Sequence, residues 1–280
     1  MDDRKPAILS VKYDEIFRLF FADERNAEDL INLLKSILNL PEDDYNEIEI
    51  ADPHLLPEYA GDKLAVIDVK LYTRSRKVIH IEIQLKVTAA MRERIVYYDA
   101  KLITEQIGSG DKYNEIRKVI SIIITDEKLI PNSARYHHRF TFYDPEAGVE
   151  FSDIVEIHTV ELEKLPESAD GTELYDWAKF IAAETEEELN MIAQRNPQVG
   201  RAVVKLRELS SDEKARDLHE RREKARRDID SLMDDAEQKG RAEGRAEGRA
   251  AVAQNLLKTN MSMEQIMAVT GLTREEIEAL

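Results

Sequence analysis

Apolar residues near the start of the chain recur at helical intervals. Tyr13, Phe17 and Phe20 do so within Tyr13-Asp14-Glu15-Ile16-Phe17-Arg18-Leu19-Phe20-Phe21, as do Leu30, Leu33, Leu34 and Ile37 between Asn26 and Leu40. Each set forms one greasy stripe, which predicts two amphipathic helices. Pro41 closes the second, and Tyr45 to Ile50 alternate polar with apolar until Pro53 and Pro57 break the order. Two runs of strand composition follow, Leu64 to Tyr72 and Val78 to Leu85, separated by the short basic connection Arg74-Ser75-Arg76-Lys77. They predict a β-hairpin. Thr88 is a plausible N-cap for a long helix reaching Ile107, in which Met91, Ile95, Tyr98 and Leu102 recur at steps of three or four before Gly108-Ser109-Gly110 ends it. Val119 to Ile124 is almost continuously apolar, the mark of a strand covered on both faces and central in its sheet. Further strands are expected around Tyr136 to Tyr143 and Ile154 to Val160. The order αα, β, ββ, α, β, ββ is that of an α/β core ending near Leu165.

After Pro166 the composition turns charged, alanine-rich and helical, so a domain boundary is expected there. Residues 1–165 form the core domain in this reading and residues 166–211 a helical linker in which Trp177 packs. Residues 212–280 form a long helix with a small terminal module. The charges of 212–250 are of both signs and nearly balanced, which describes an exposed helix rather than a DNA-binding arm. A repeat stands out: Gly240-Arg241-Ala242-Glu243, Gly244-Arg245-Ala246-Glu247, Gly248-Arg249-Ala250. On a helix the three glycines stack into one stripe along which a second backbone could approach. Each costs about 1 kcal/mol of helix propensity relative to alanine. A self-association helix and a flexible connector both fit. Ser262 to Leu280 predicts helix, tight turn, helix, but Glu275, Glu276 and Glu278 against Arg274 suit a small packing module better than a DNA reader.

Composition narrows the setting. Of 280 residues 42% are hydrophobic and 35% charged, enough for a real core beneath an ionic surface, so wholesale disorder is excluded. The absence of cysteine rules out disulfides, thiolate zinc sites and cysteine nucleophiles and fits a reducing, cytoplasmic setting. Runs such as Ile122-Ile123-Ile124 are far shorter than the roughly 20 residues of a bilayer span, and Met1-Asp2-Asp3-Arg4 lacks a signal-peptide pattern. No membrane partner is expected. A net charge of −17 opposes long-range attraction to phosphate backbones, so any nucleic-acid chemistry must rest on a local site.

The hairpin offers one. Side chains alternate faces along a strand, placing Ala65, Ile67, Val69 and Leu71 opposite Val66, Asp68, Lys70 and Tyr72, and Ile79, Ile81, Ile83 and Leu85 opposite His80, Glu82 and Gln84. If the greasy sides pack on helices, Asp68, Glu82 and Gln84 project from one face. Paired residues of an antiparallel ladder share a face, so Asp68 must oppose Glu82 or Gln84. A two-residue turn at Ser75-Arg76 would pair Asp68 with Ile83 instead. The loop is therefore expected to be odd in length or bulged. In either allowed register the Asp68 and Glu82 carboxylates reach one cation, and hard oxygen donors with water in the remaining positions suit Mg²⁺. The ordinary alternative is a solvated outer face.

An Asp late in one strand and a Glu on the next, here Ile67-Asp68-Val69 and Ile81-Glu82-Ile83-Gln84 between an amino-terminal and a long following helix, resembles the PD-(D/E)XK nuclease superfamily. Lys12-Tyr13-Asp14-Glu15-Ile16-Phe17, Arg92-Glu93-Arg94-Ile95-Val96-Tyr97-Tyr98 and Gly110-Asp111-Lys112-Tyr113 make it most similar to the Rpn branch of recombination-promoting nucleases and transposases, over roughly residues 10–160. The glycine-repeat tail with its small helical end is also common in that branch. The resemblance implies a restriction-endonuclease-like α/β fold, a mixed central sheet flanked by helices with an α-helical C-terminal extension. It also implies Mg²⁺-dependent hydrolysis of DNA in recombination or transposition, with low sequence specificity. Asp68 and Glu82 would hold the metal and Asp14, or else Glu15, would be an auxiliary acid. The departure is Gln84 where the superfamily usually has lysine; Lys70 or Lys86 could supply the missing charge. Arg74, Arg76, Lys77, Arg92 and Arg94 are candidate phosphate contacts. Tyr98 is expected in the core rather than stacked on a base. His80 is expected beside the site or on the surface rather than as a ligand, and His137 and His138 on opposite faces of a strand. The competing function is a catalytically weak or inactive scaffold that assembles through its C-terminal helices. Homo-oligomerisation through those helices is expected in either case.

Overall fold

The computed structural model describes residues 8–55 and 65–280; Met1 to Arg4, Pro57 and the strand start at Leu64 lie outside the described residues. The helices α1 (Asp14–Phe21), α2 (Ala27–Ile37) and the short α3 (Glu42–Tyr45) lead into β1 (Glu49–Ala51) and β2 (His54–Leu55). Then come β3 (Ala65–Val66), β4 (Val69–Tyr72), β5 (Val78–Gln84), α4 (Met91–Thr104), β6 (Val119–Thr125), β7 (His137–Asp144) and β8 (Val149–Glu161). Six strands form one mixed sheet in the order β1-β4-β5-β6-β8-β7, and β2 pairs with β3 in a separate ladder. β5, β6 and β8 run parallel, while β1, β4 and β7 join antiparallel. β6 sits inside the sheet and is buried along its whole length, as its unbroken apolar run predicts.

Helices cover both faces. On one, Val69, Leu71, Ile79, Ile81, Ile83, Ile120, Ile122 and Ile124 share a core with Phe17 and Phe20 of α1 and Leu30, Leu33 and Leu34 of α2. On the other lies α4, which packs Leu102 with Val78 and Val119, and Met91 and Ile95 with Ile123. This is the α/β restriction-endonuclease-like arrangement expected from the resemblance.

Packing divides the chain between His219 and Glu220, not after Leu165. The expected linker folds as α5 (Glu173–Ala182), α6 (Glu186–Arg195) and α7 (Pro197–Ser211). Trp177, Phe180, Leu189, Val203 and Leu206 of these helices join the α1–α2 core. The change of composition at Pro166 marks a change of layer, from sheet to helices, rather than the end of a core.

The second unit contains most of α8 (Glu213–Leu257), which stays helical through the glycine repeat, then α9 (Met263–Thr270) and α10 (Arg274–Glu278). Ala253, Ile266 and Ile277 close a small core, and Gly271 turns between the last two helices at φ 68°. Ser262 and Thr273 start those helices with capping boxes. No helix among the described residues is long and apolar enough to cross a membrane.

The hairpin tip fixes the register of β4 and β5. The Arg76 N–H donates to the Thr73 carbonyl (2.8 Å) and the Thr73 N–H to the Lys77 carbonyl (3.1 Å), with Arg76 left-handed at φ 64°. This is a three-residue loop, a tight turn followed by a left-handed residue. It pairs Val69 with Ile81 and Tyr72 with Val78. The odd length that the sequence demands is present. One expectation fails: the first strand is not continuous. It breaks at Ile67 and Asp68, where the Ile67 N–H donates to the Pro53 carbonyl (3.1 Å). Ile67 consequently packs with Val78, Leu102 and Val119 rather than sharing a face with Val69 and Leu71.

Candidate active site

Continuing the β4–β5 pairing by one step sets Asp68 across from Glu82. The break in the strand frees the Asp68 N–H from the ladder, and it donates to Glu82 Oε1 (3.2 Å), while Asp68 Oδ2 accepts from the Ile83 N–H (2.8 Å). Each acid is thus anchored by backbone from the other's strand. Glu82 is only 5% exposed. Burial pushes it up to about 8, with the Asp68 charge adding and Arg94 and Arg18 opposing. Burial likewise raises Asp68 to about 6, against the Ile83 N–H; Asp14 adds to the rise, and Arg18 and Arg94 resist it. Two acids whose charged forms are disfavoured by burial and by negative neighbours are a donor set short of positive charge.

Around this pair stand residues of both flanking layers. Asp14 and Arg18, one turn apart on α1, both act on Asp68. Glu15 does not face the pair: it is buried, with His219 Nδ1 2.8 Å from its Oε1. Gln84 Nε2 donates weakly to Glu82 Oε2 (3.4 Å), so the glutamine steadies the acid without adding charge. Arg94 and Tyr98 lie one turn apart on α4, the guanidinium 6.0 Å from the ring centroid. Tyr98 is half-buried and packs beside Val78 and Leu102; burial raises its phenol, Arg94 opposes, and the charges of Glu82 and Asp68 add to the rise.

Other candidates stand elsewhere. Lys70 is buried and paired with Glu105 (3.2 Å), and Lys86 is exposed beyond the end of β5. Arg74, Arg76 and Lys77 lie at the opposite end of β5. Six residues of strand at about 3.3 Å each separate Arg76 from Glu82 by about 20 Å. Arg76 pairs with Glu49 (2.9 Å) and Lys77 with Asp44 (2.7 Å). Arg92 is exposed on α4. His80 is fully buried, its Nε2 3.1 Å from Asp99 Oδ1 and against Ser121, in a closed polar cluster under α4. His137 stacks on His158, whereas His138 Nε2 contacts Ser133 Oγ (2.7 Å), so the neighbours point apart as expected. Among the described residues no group of three or more His, Cys, Asp or Glu is spaced to hold a metal ion.

Arg18 and Asp99 escaped the sequence reading, although signals existed. Arg18 is four residues from Asp14 and so on its flank of α1. Asp99 follows Met91 and Ile95 at steps of four, an acid on a buried stripe.

A model of the PD-(D/E)XK nuclease family transposases matches residues 11–236. The chain belongs to this family. Searches of curated proteins and of solved structures find no match. Membership of the PD-(D/E)XK nuclease family transposases points to a nuclease or transposase-related function, and nucleases of this kind generally use divalent metal ions. The matched region runs past Leu165 and through α5 to α7, the helices that complete the core. In this PD-(D/E)XK family member the half-buried Asp68 and the buried Glu82 fit such an ion. Both are hard oxygen donors, and each is raised by burial and by a neighbouring negative charge.

Proposed function

We propose that this chain is a Mg²⁺-dependent DNA endonuclease acting in recombination or transposition with little sequence specificity. The observation that carries the reading is the apposition of Asp68 and Glu82 one step beyond the β4–β5 ladder, the Glu82 carboxylate held by the Asp68 N–H and the Asp68 carboxylate by the Ile83 N–H. Asp68 and Glu82 are the residues that would hold the ion. A divalent cation there supplies Lewis-acid polarisation of a phosphoryl oxygen and eases deprotonation of the attacking water. Asp14 is the auxiliary acid beside them, and Gln84 keeps Glu82 oriented. Arg92 and Arg94, on the helix over the site, are phosphate contacts in this reading. Arg74, Arg76 and Lys77 could touch only a more distant stretch of backbone, and two of the three are engaged by acids of the chain itself. The soluble, cytoplasmic setting and assembly through the C-terminal helices belong to the same proposal.

Plasmid nicking with Mg²⁺ tests it, comparing wild type with Asp68→Ala and Glu82→Ala. Loss of nicking in both variants supports the site; equal activity in all three proteins refutes it. Gln84, neutral where the related motif carries lysine, favours a second reading, a scaffold without catalysis. Wild-type protein inert with every divalent metal would establish that reading.

A further inference from the structure

We propose that Arg94 supplies the positive charge at the scissile phosphate that Gln84 does not, so that in this chain the cation of the site is presented by the overlying helix and not by the strand. The inference rests on the nuclease reading and names a catalytic residue for it.

Phosphodiester hydrolysis joins one water oxygen to phosphorus and breaks one P–O ester bond, leaving a phosphomonoester and an alcohol. One water proton ends on the departing oxygen and the other is released to solvent. Negative charge builds on the phosphoryl oxygens meanwhile, in a site whose own side chains are acids. A fixed cation aimed there lowers the barrier. Gln84 offers an amide, already turned toward Glu82. Lys70 is committed to Glu105 in a buried pair, and Lys86 is exposed past the strand end. Among the described residues, β4 and β5 therefore present no cation to the pair.

The covering helix does. Ile123 is the partner of Glu82 in the β5–β6 ladder and shares its face, and Met91 and Ile95 of α4 pack on Ile123. Leu102 packs on Val78 and Val119 of the same face. Arg94 and Tyr98 flank this contact stripe, at the end of the helix nearer Ile95. Arg94 is half-buried, and no ion pair with a described residue holds it. Its guanidinium lies over Tyr98, whose ring limits the directions it can take. Arg94 is also the cation acting most strongly on Glu82. A guanidinium keeps its charge throughout the reaction, so Arg94 exchanges no proton and acts by electrostatics alone.

Single-turnover cleavage of DNA with Mg²⁺ provides the test, using wild type, Arg94→Met, Arg94→Lys and the double variant Arg94→Met with Gln84→Lys. DNA affinity in Ca²⁺ and the Mg²⁺-induced rise in melting temperature are measured alongside. Removing one such stabilising group typically costs about 100-fold or more in rate, so Arg94→Met is expected to fall by that order. Its metal-induced shift matches that of wild type, and its DNA affinity falls by no more than about tenfold, the loss of one phosphate contact. Arg94→Lys keeps part of the rate, and Gln84→Lys in the Arg94→Met background restores at least tenfold. The rescue is decisive, because a lysine on β5 cannot repair packing lost from Tyr98. An active wild type with equally active Arg94→Met overturns this inference alone, as does a double variant no faster than Arg94→Met. A wild type inert with every divalent cation overturns it together with the nuclease reading.

Discussion

Replacing Glu82 by glutamine is expected to stabilise the metal-free protein near pH 8. Glu82 titrates at about 8 in the folded chain against an ordinary 4.5. Between those values the unfolded chain has released its proton and the folded chain has not. The unfolded state therefore binds fewer protons, and stability falls as pH rises through the window. A shift of that size corresponds to about 4 kcal/mol near pH 8, at about 1.4 kcal/mol per unit. Part of the gain is lost in the Glu82→Gln variant, whose new amide must find an acceptor beside the Gln84 amide, leaving a net of about 2 kcal/mol. For a unit of this size that is a rise of about 4 to 8 °C in melting temperature. Trp177 is the one tryptophan and is fully buried in the same unit, so its fluorescence reports this transition without signal from the C-terminal helices. Melts are recorded in EDTA from about pH 5 to 8. Wild type loses stability across the series while Glu82→Gln changes less, so the two curves cross, the variant being the less stable by roughly 1 kcal/mol at the acid end, where its amide cost outweighs the gain that remains. Mg²⁺ raises the wild-type midpoint near pH 8 and leaves that of Glu82→Gln almost unmoved. A variant less stable than wild type near pH 8 in EDTA, or a pH-independent wild type, would refute the reasoning.

Other expectations are smaller in scope. His137 is held down to about 4 by burial, with His158 adding. It takes up its proton in the unfolded chain first, so stability drops as pH falls from about 6.5 to 4, by at most about 3 kcal/mol. NMR titration of the imidazole checks the value, and an ordinary midpoint removes the effect. A Cβ at Gly240, Gly244 or Gly248 would meet open space. Substituting all three by alanine is expected to raise the helicity seen by circular dichroism and to add up to about 1 kcal/mol per site. If the stripe is a self-association face, the same variant is also less oligomeric. Light scattering of the full chain and of residues 1–219 tests assembly through the C-terminal helices: the longer protein is expected to be a dimer and the shorter a monomer. A monomer in both would eliminate that route.

Elements were legible in the sequence wherever one face is buried, because burial imposes a period. α1, α2, the hairpin, α4 and the buried β6 all show it. The pairing of Asp68 with Glu82 was legible for a related reason. Parity excludes half of the possible registers, and the residues flanking both acids are apolar. What period cannot supply is placement along the strand axis. Arg74 and Arg76 are near Asp68 in sequence, yet the hairpin carries them to the far end of β5. Nor does it show which apolar stripes share a core, which is why Trp177 looked like a linker residue and is central instead. The break at Ile67 comes from an interaction with Pro53, a long-range hydrogen bond without a local signature.

The three-residue tip at Arg74 to Arg76 constrains how this hairpin can change. Arg76 occupies a left-handed conformation that a non-glycine residue holds at a cost of about 1 kcal/mol or more. Were the turn to close with two residues on Arg74 and Lys77 instead of with three on Thr73 and Lys77, one strand would slide by one position, moving Asp68 opposite Ile83 and turning one acid into the greasy layer. What the hairpin must keep is therefore the closing pair, and a turn that closes elsewhere has to be offset by a bulge. Chemistry at one end of the sheet is thus policed by an exposed turn about 20 Å away that touches neither acid.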